Sequence, residues 1–95
     1  MNDTPEERVY RLVQTEKFEK ALRKLDRPTQ RRILVKLYGL TRLEDPTAQC
    51  KAMTGPLTGL WRLRTGDYRT ILDIRRGEVT IIALDTGHRS SVYEG

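Results

Sequence analysis

Leu60-Trp61-Arg62-Leu63-Arg64-Thr65-Gly66-Asp67-Tyr68-Arg69-Thr70-Ile71-Leu72-Asp73-Ile74 is the stretch whose reading decides the fold. Side chains alternate across an extended segment, so Arg62 and Arg64 project from one face while Trp61 and Leu63 project from the other. Tyr68, Thr70, Leu72 and Ile74 alternate in the same way with Arg69, Ile71 and Asp73. Thr65-Gly66-Asp67 is short enough to fold the two runs into an antiparallel hairpin. A second turn signal, Arg75-Arg76-Gly77-Glu78, leads into Val79 to Leu84, whose β-branched, nearly continuous apolar character predicts a strand covered on both faces. The result is a three-strand meander with one cationic side.

Working outward, Val9-Tyr10-Arg11-Leu12-Val13 predicts a further strand and hence a four-stranded sheet. Thr15 is placed to cap a helix with Glu16 and Glu19 in its first turn and Phe18, Leu22 and Leu25 at helical spacing. Asp26-Arg27-Pro28 ends that helix and starts a second, with Ile33, Leu34, Leu37, Tyr38 and Leu40 in an apolar stripe running to about Leu43. Residues 47–59 hold one proline and two glycines without a period and read as a surface loop. Tyr10, Phe18, Tyr38 and Trp61 are expected in the core. The order β-α-α-β-β-β predicts an α+β fold, a two-helix hairpin packed on one face of a mainly antiparallel four-stranded sheet, with the other face open.

Ninety-five residues accommodate one domain, 1–95. No apolar run is long enough to cross a bilayer, and the first residues lack the basic-then-apolar pattern of a secretory signal, which predicts a cytoplasmic protein without membrane attachment. The single cysteine, Cys50, excludes an internal disulfide and has no cysteine or histidine neighbour at metal-ligand spacing, which fits a reducing compartment; neither metal nor cofactor is expected. The formal net charge of +5 favours a polyanionic partner. Residues 15–43 carry nine basic against three acidic residues, which the plain reading assigns to a solvated helix face.

Gly55-Pro56-Leu57-Thr58-Gly59-Leu60-Trp61-Arg62-Leu63-Arg64, then Gly66-Asp67-Tyr68-Arg69, and the ending Gly87-His88-Arg89-Ser90-Ser91-Val92-Tyr93 together resemble the RelE/ParE superfamily of bacterial toxins. The resemblance spans essentially the whole chain. It implies the toxin of a type II toxin–antitoxin pair and, in the RelE branch, a ribosome-dependent endoribonuclease that cuts messenger RNA without a metal. Its partners would be a cognate antitoxin, the ribosome and mRNA.

Attack by the adjacent 2′-hydroxyl needs a proton acceptor, a donor for the leaving 5′-oxygen and positive charge around phosphorus. Arg69 and Arg89 match the family's phosphate-stabilising arginines, and Lys51, Arg62 and Arg64 are expected to bind the RNA backbone. Arg62 and Arg64 stand where RelE-type enzymes often carry lysine; arginine stays protonated, so these two bind charge rather than move protons. His88, the chain's one histidine, is the natural proton carrier near neutral pH. Tyr93 matches a family tyrosine that stacks on a base or delivers a proton.

The plainer readings are a structural or exposed histidine, solvent-facing or antitoxin-docking arginines, and a packing role for Tyr93. Two other functions compete with the nuclease. One is a ParE-like toxin of the same fold that blocks DNA gyrase without RNA chemistry. The other is a non-catalytic basic module that binds nucleic acid through phosphate contacts.

Overall fold

The computed structural model describes residues 9–89. Its regular elements are β1 (Arg11–Gln14), α1 (Glu16–Arg23), α2 (Arg27–Leu40), β2 (Lys51–Ala52), β3 (Trp61–Thr65), β4 (Tyr68–Arg75) and β5 (Thr80–His88), with short 3₁₀ turns at Pro46–Gln49, Gly55–Leu57 and Arg76–Glu78. The strands form one sheet in the order β1-β5-β4-β3-β2. β1 runs parallel to β5 and every other pair is antiparallel. The α+β architecture is therefore as expected, with five strands in place of four.

The fifth strand, β2, lies within 47–59, the segment expected to be loop. Two residues carry no readable period; Lys51 and Ala52 become a strand only by pairing with Arg62 and Trp61. The first strand begins at Arg11 rather than Val9, because the Val9 and Tyr10 amides both donate to the Thr41 carbonyl, each at 2.8 Å. α2 stops at Leu40, three residues short of its expected end, and Leu43 still packs against the core.

Local chemistry explains the elements. The Thr15 hydroxyl caps α1 by accepting from the Phe18 amide at 3.1 Å and donates to the Ala83 carbonyl at 2.9 Å, so one side chain both starts the helix and ties it to β5. β3 and β4 are joined by a two-residue turn in which Gly66 has φ 61°, a left-handed value that glycine adopts without steric cost. Gly77 does not play that part in the next turn. There Val79 takes φ 51° and ψ 46°, and the strand starts one residue later than expected.

α1 and α2 cover one face of the sheet. Phe18, Leu22, Ile33, Leu37 and Leu40 from the helices meet Leu63, Leu72, Ile74, Ile81 and Ala83 from the strands, with Tyr10 buried beside them and Trp61 packed at the edge. Removing a side chain of this size from water contributes about 1.5–3 kcal/mol. Tyr38 is a correction: it is half-buried and faces an open groove with Arg31 and Arg42 on the outward side of α2. The basic residues of α2, including Arg27, Arg31, Arg32 and Lys36, are exposed, as the solvated-face reading requires.

The opposite face of the sheet is not wholly open. Met53, Leu57 and Leu60, from the segment between β2 and β3, fold over Ile71 and Leu84 as a second, smaller apolar cluster. That lid covers one end of the face and leaves the end nearest the β3–β4 turn to the arginines.

Candidate functional site

Strand register assembles the site. Lys51 lies opposite Arg62, and Arg62 opposite Ile71; Arg64 lies opposite Arg69, and Arg69 opposite Gly87. Directly opposed residues share a face with Cβ atoms about 4.5–5.5 Å apart. Lys51, Arg62, Arg64 and Arg69 thus project together from the side of the sheet away from the helices. Arg89 follows β5 immediately, held by its amide donating to the Asp67 carbonyl at 2.9 Å.

The Arg69 guanidinium records this crowding. Partial loss of hydration, followed by repulsion from Arg62, Arg64 and Arg89, lowers its pKa from the ordinary value. All four arginines are therefore within electrostatic reach of one point. Arg69 still remains protonated at physiological pH. A guanidinium presents a planar fork that matches two phosphate oxygens, and several forks around one locus favour a group whose negative charge increases during reaction. Backbone contacts orient part of the cluster: Arg64 Nε donates to the Gly66 carbonyl at 3.2 Å, and Lys36 Nζ of α2 reaches the Arg64 carbonyl at 2.6 Å.

His88 is placed elsewhere. It lies opposite Tyr68 in the β4–β5 register, one residue out of phase with Gly87 and Arg69, and so points to the helix side of the sheet. Its ring packs edge-on against Tyr68 with centroids 5.6 Å apart and planes at 86°, and Tyr68 in turn packs against the main core. Tyr93 lies outside the described residues.

A feature without any signal in the sequence adjoins the arginines. Between the start of α1 and the lid over the second cluster lies a cleft of about 360 Å3, with Leu57, Leu60, Ile71 and Leu84 as its apolar surface and Lys17 and Asp85 at its rim. Among the described residues no group of three or more His, Cys, Asp or Glu side chains is arranged to hold a metal ion, and no helix is long and apolar enough to cross a membrane.

Known proteins reproduce this architecture. The toxin–antitoxin complex RelBE2 from Mycobacterium tuberculosis superposes with a TM-score of 0.78 at 24% identity, covering 95% of this chain and all of that one. The archaeal RelE–RelB complex from Pyrococcus horikoshii gives 0.69 at 28% identity over 88% of this chain and 99% of that one. The Escherichia coli RelBE complex gives 0.64 at 20% identity over 83% and 95%. No curated protein sequence matches significantly. The sequence model of the ParE toxin of the type II toxin–antitoxin system parDE matches residues 12–93. With that match over most of its length and a helix hairpin on a RelE-like sheet, the chain belongs to the ParE toxin family, within the RelE/ParE superfamily of type II toxins.

Proposed function

We propose that this toxin is a RelE-type endoribonuclease, cutting messenger RNA on the ribosome by attack of a 2′-hydroxyl on the adjacent phosphate. The observation that carries the reading is the convergence of Arg62, Arg64 and Arg69, with Arg89 beside them, on one uncovered end of the sheet. Gyrase inhibition by surface contact does not call for four guanidinium groups around one point. A phosphodiester passing through a doubly charged phosphorane does.

In this mechanism Arg69 and Arg89 hold the non-bridging oxygens, while Arg62, Arg64 and Lys51 track the flanking backbone. Fixing the phosphate in line with the attacking hydroxyl and compensating the developing charge supply the larger part of the acceleration. With the His88 ring engaged by Tyr68, proton transfer falls to Tyr93, the tyrosine marked by the family resemblance. A phenol with an ordinary pKa of about 10 needs cationic neighbours for that task. The resemblance implies no metal in this chemistry.

The partner is a cognate antitoxin, as in the toxin–antitoxin complexes formed by the structural relatives. An acidic segment lying across the arginines would silence the toxin by charge neutralisation, and the protein would act in the cytoplasm, where ribosomes and message are found. A second reading is a gyrase-blocking toxin, which the ParE family match favours.

Cell-free translation with added toxin, followed by primer extension on the message, separates the two. Ribosome-dependent cuts at defined codon positions are expected. Intact message with relaxed or broken plasmid DNA would establish the gyrase reading instead, and intact RNA and DNA would leave a binding module.

A further inference from the structure

The β4–β5 ladder carries a bulge next to the arginines. Ile71 lies opposite Asp85, yet Leu72 lies opposite Ala83, so Leu84 is the extra residue on β5. Regular alternation would send Leu84 and Asp85 to opposite faces of the sheet. The bulge turns both toward the arginine face: Leu84 joins the second apolar cluster over Ile71, and Asp85 stands beside it at the rim of the cleft. Asp85 Oδ1 accepts from the Thr86 amide at 2.9 Å, and its Oδ2 lies 3.7 Å from Lys17 Nζ. Asp85 and Lys17 thus present an acceptor and a donor side by side above an apolar floor.

This pair has a fixed relation to the phosphate site. Arg62, Ile71 and Asp85 form one rung across three neighbouring strands, and strands lie about 4.8 Å apart. Arg69 is the next residue on the same face of β4, about 7 Å along the strand from Ile71. A nucleotide whose phosphate rests on Arg62 and Arg69 has its base over Ile71 and Leu84, with Leu57 and Leu60 against the ring. Its polar edge then meets Asp85 and Lys17.

We infer that the cleft receives the base on the 5′ side of the scissile phosphate, and that Asp85 and Lys17 select bases presenting an amino group beside an unprotonated ring nitrogen. On the Watson–Crick side cytosine (4-amino beside N3) and adenine (6-amino beside N1) have that edge. The amino group donates to the carboxylate and the ring nitrogen accepts from the ammonium. With the phosphate fixing the base in the same pose, uracil and guanine present a carbonyl and an N–H at those two positions, which sets oxygen against the carboxylate. The apolar floor supplies affinity without discrimination, and the bulge-aimed ion pair supplies the choice. This selectivity rests on the ribonuclease reading for its biological meaning, but the cleft can be tested apart from it.

The test is a titration of the isotope-labelled toxin with cytidine 3′-monophosphate and uridine 3′-monophosphate, read by amide NMR, together with primer extension on cleaved message. The cytidine nucleotide is expected to bind about fivefold more tightly, the scale of one net hydrogen bond, and to shift the Leu60, Leu84 and Thr86 amides. Asp85→Asn should bring the two affinities to within twofold and abolish the bias for A or C on the 5′ side of the cuts. Lys17→Met, on an exposed helix position, should weaken the same preference with the fold retained. Intact message with the cytidine preference preserved would sink the nuclease and leave the cleft assignment standing. Equal affinities, shifts confined to the arginine hairpin, or cuts with no A or C bias would overturn the inference. So would Asp85→Asn losing antitoxin binding while the nucleotide ratio stays unchanged, which would make the cleft an antitoxin contact.

Discussion

Val79→Asn is expected to stabilise the protein. Val79 occupies the left-handed region at φ 51° and ψ 46°, where an L residue pays roughly 1–2 kcal/mol. A β-branched side chain is poorly suited to that conformation, whereas asparagine tolerates it. The backbone must stay there, since the Val79 amide donates to the Arg76 carbonyl at 3.1 Å and its own carbonyl accepts from the Arg11 amide at 2.9 Å. Those bonds close the turn and anchor β1. The side chain is 40% exposed, so replacing it forfeits about 0.5 kcal/mol of apolar burial. The net gain is about 1 kcal/mol, which in a domain of this size raises Tm by about 4–8 °C. Val79→Gly removes the same strain but loosens the unfolded chain, by roughly 0.5–1 kcal/mol, and should gain less. Val35→Asn is the control: Val35 is 65% exposed in right-handed α2, so the same chemical change there should give no increase. Thermal melts followed by circular dichroism decide the matter. A Val79→Asn midpoint that fails to rise, or rises no more than that of Val35→Asn, would refute the strain argument.

Arg89→Ala should reduce message cleavage by at least about tenfold, the scale of one catalytic group, whereas His88→Ala should stay within about threefold because its ring faces Tyr68; primer extension on both variants checks this, and a larger loss in His88→Ala would return proton transfer to the imidazole. Thr15→Ala removes the cap on α1 and the hydroxyl bond to Ala83, and should cost about 1–2 kcal/mol in urea denaturation. Burial, then the nearby Asp45 carboxylate, pushes the Cys50 thiol up to about 11. At pH 8 it should react with iodoacetamide about 100-fold more slowly than an unperturbed thiol, because the thiolate fraction scales with the shift. The folded state holds this proton more tightly than the unfolded chain, so the contribution is complete below about pH 9 and is lost as pH rises toward 11.

Much of the fold was legible because its largest elements announce themselves locally. Phe18, Leu22, Ile33 and Leu37 recur at helical spacing, and Trp61 to Ile74 alternate around a glycine turn, so the helix hairpin and the β3–β4 pair follow from residues close in sequence. The same alternation placed Arg62 and Arg64 on one face, and the observed pairing of Arg64 with Arg69 added the third. Other features depend on pairing between distant segments. β2 has only two residues and exists by virtue of β3; Tyr38 shares the apolar stripe of α2 yet is half-buried and lines the groove on its outward side; and residues 53–60 gave no sign that they would cover one end of the second face.

The site divides along the same line. From the chain alone one obtains the inventory of cations and the alternation that aligns Arg62 with Arg64, set by short-range period, together with the superfamily resemblance carried by its motifs. Tertiary structure decided how β5 registers on β4. A shift of one residue in that register exchanges the faces of a strand. The pairing of Arg69 with Gly87 therefore turned His88 away from the arginines, and the single bulge at Leu84 brought Asp85 toward them. No pattern within β5 encodes either outcome, because the register comes from the packing of Ile81 and Ala83 beneath α1, and that packing forms only once the whole chain has folded.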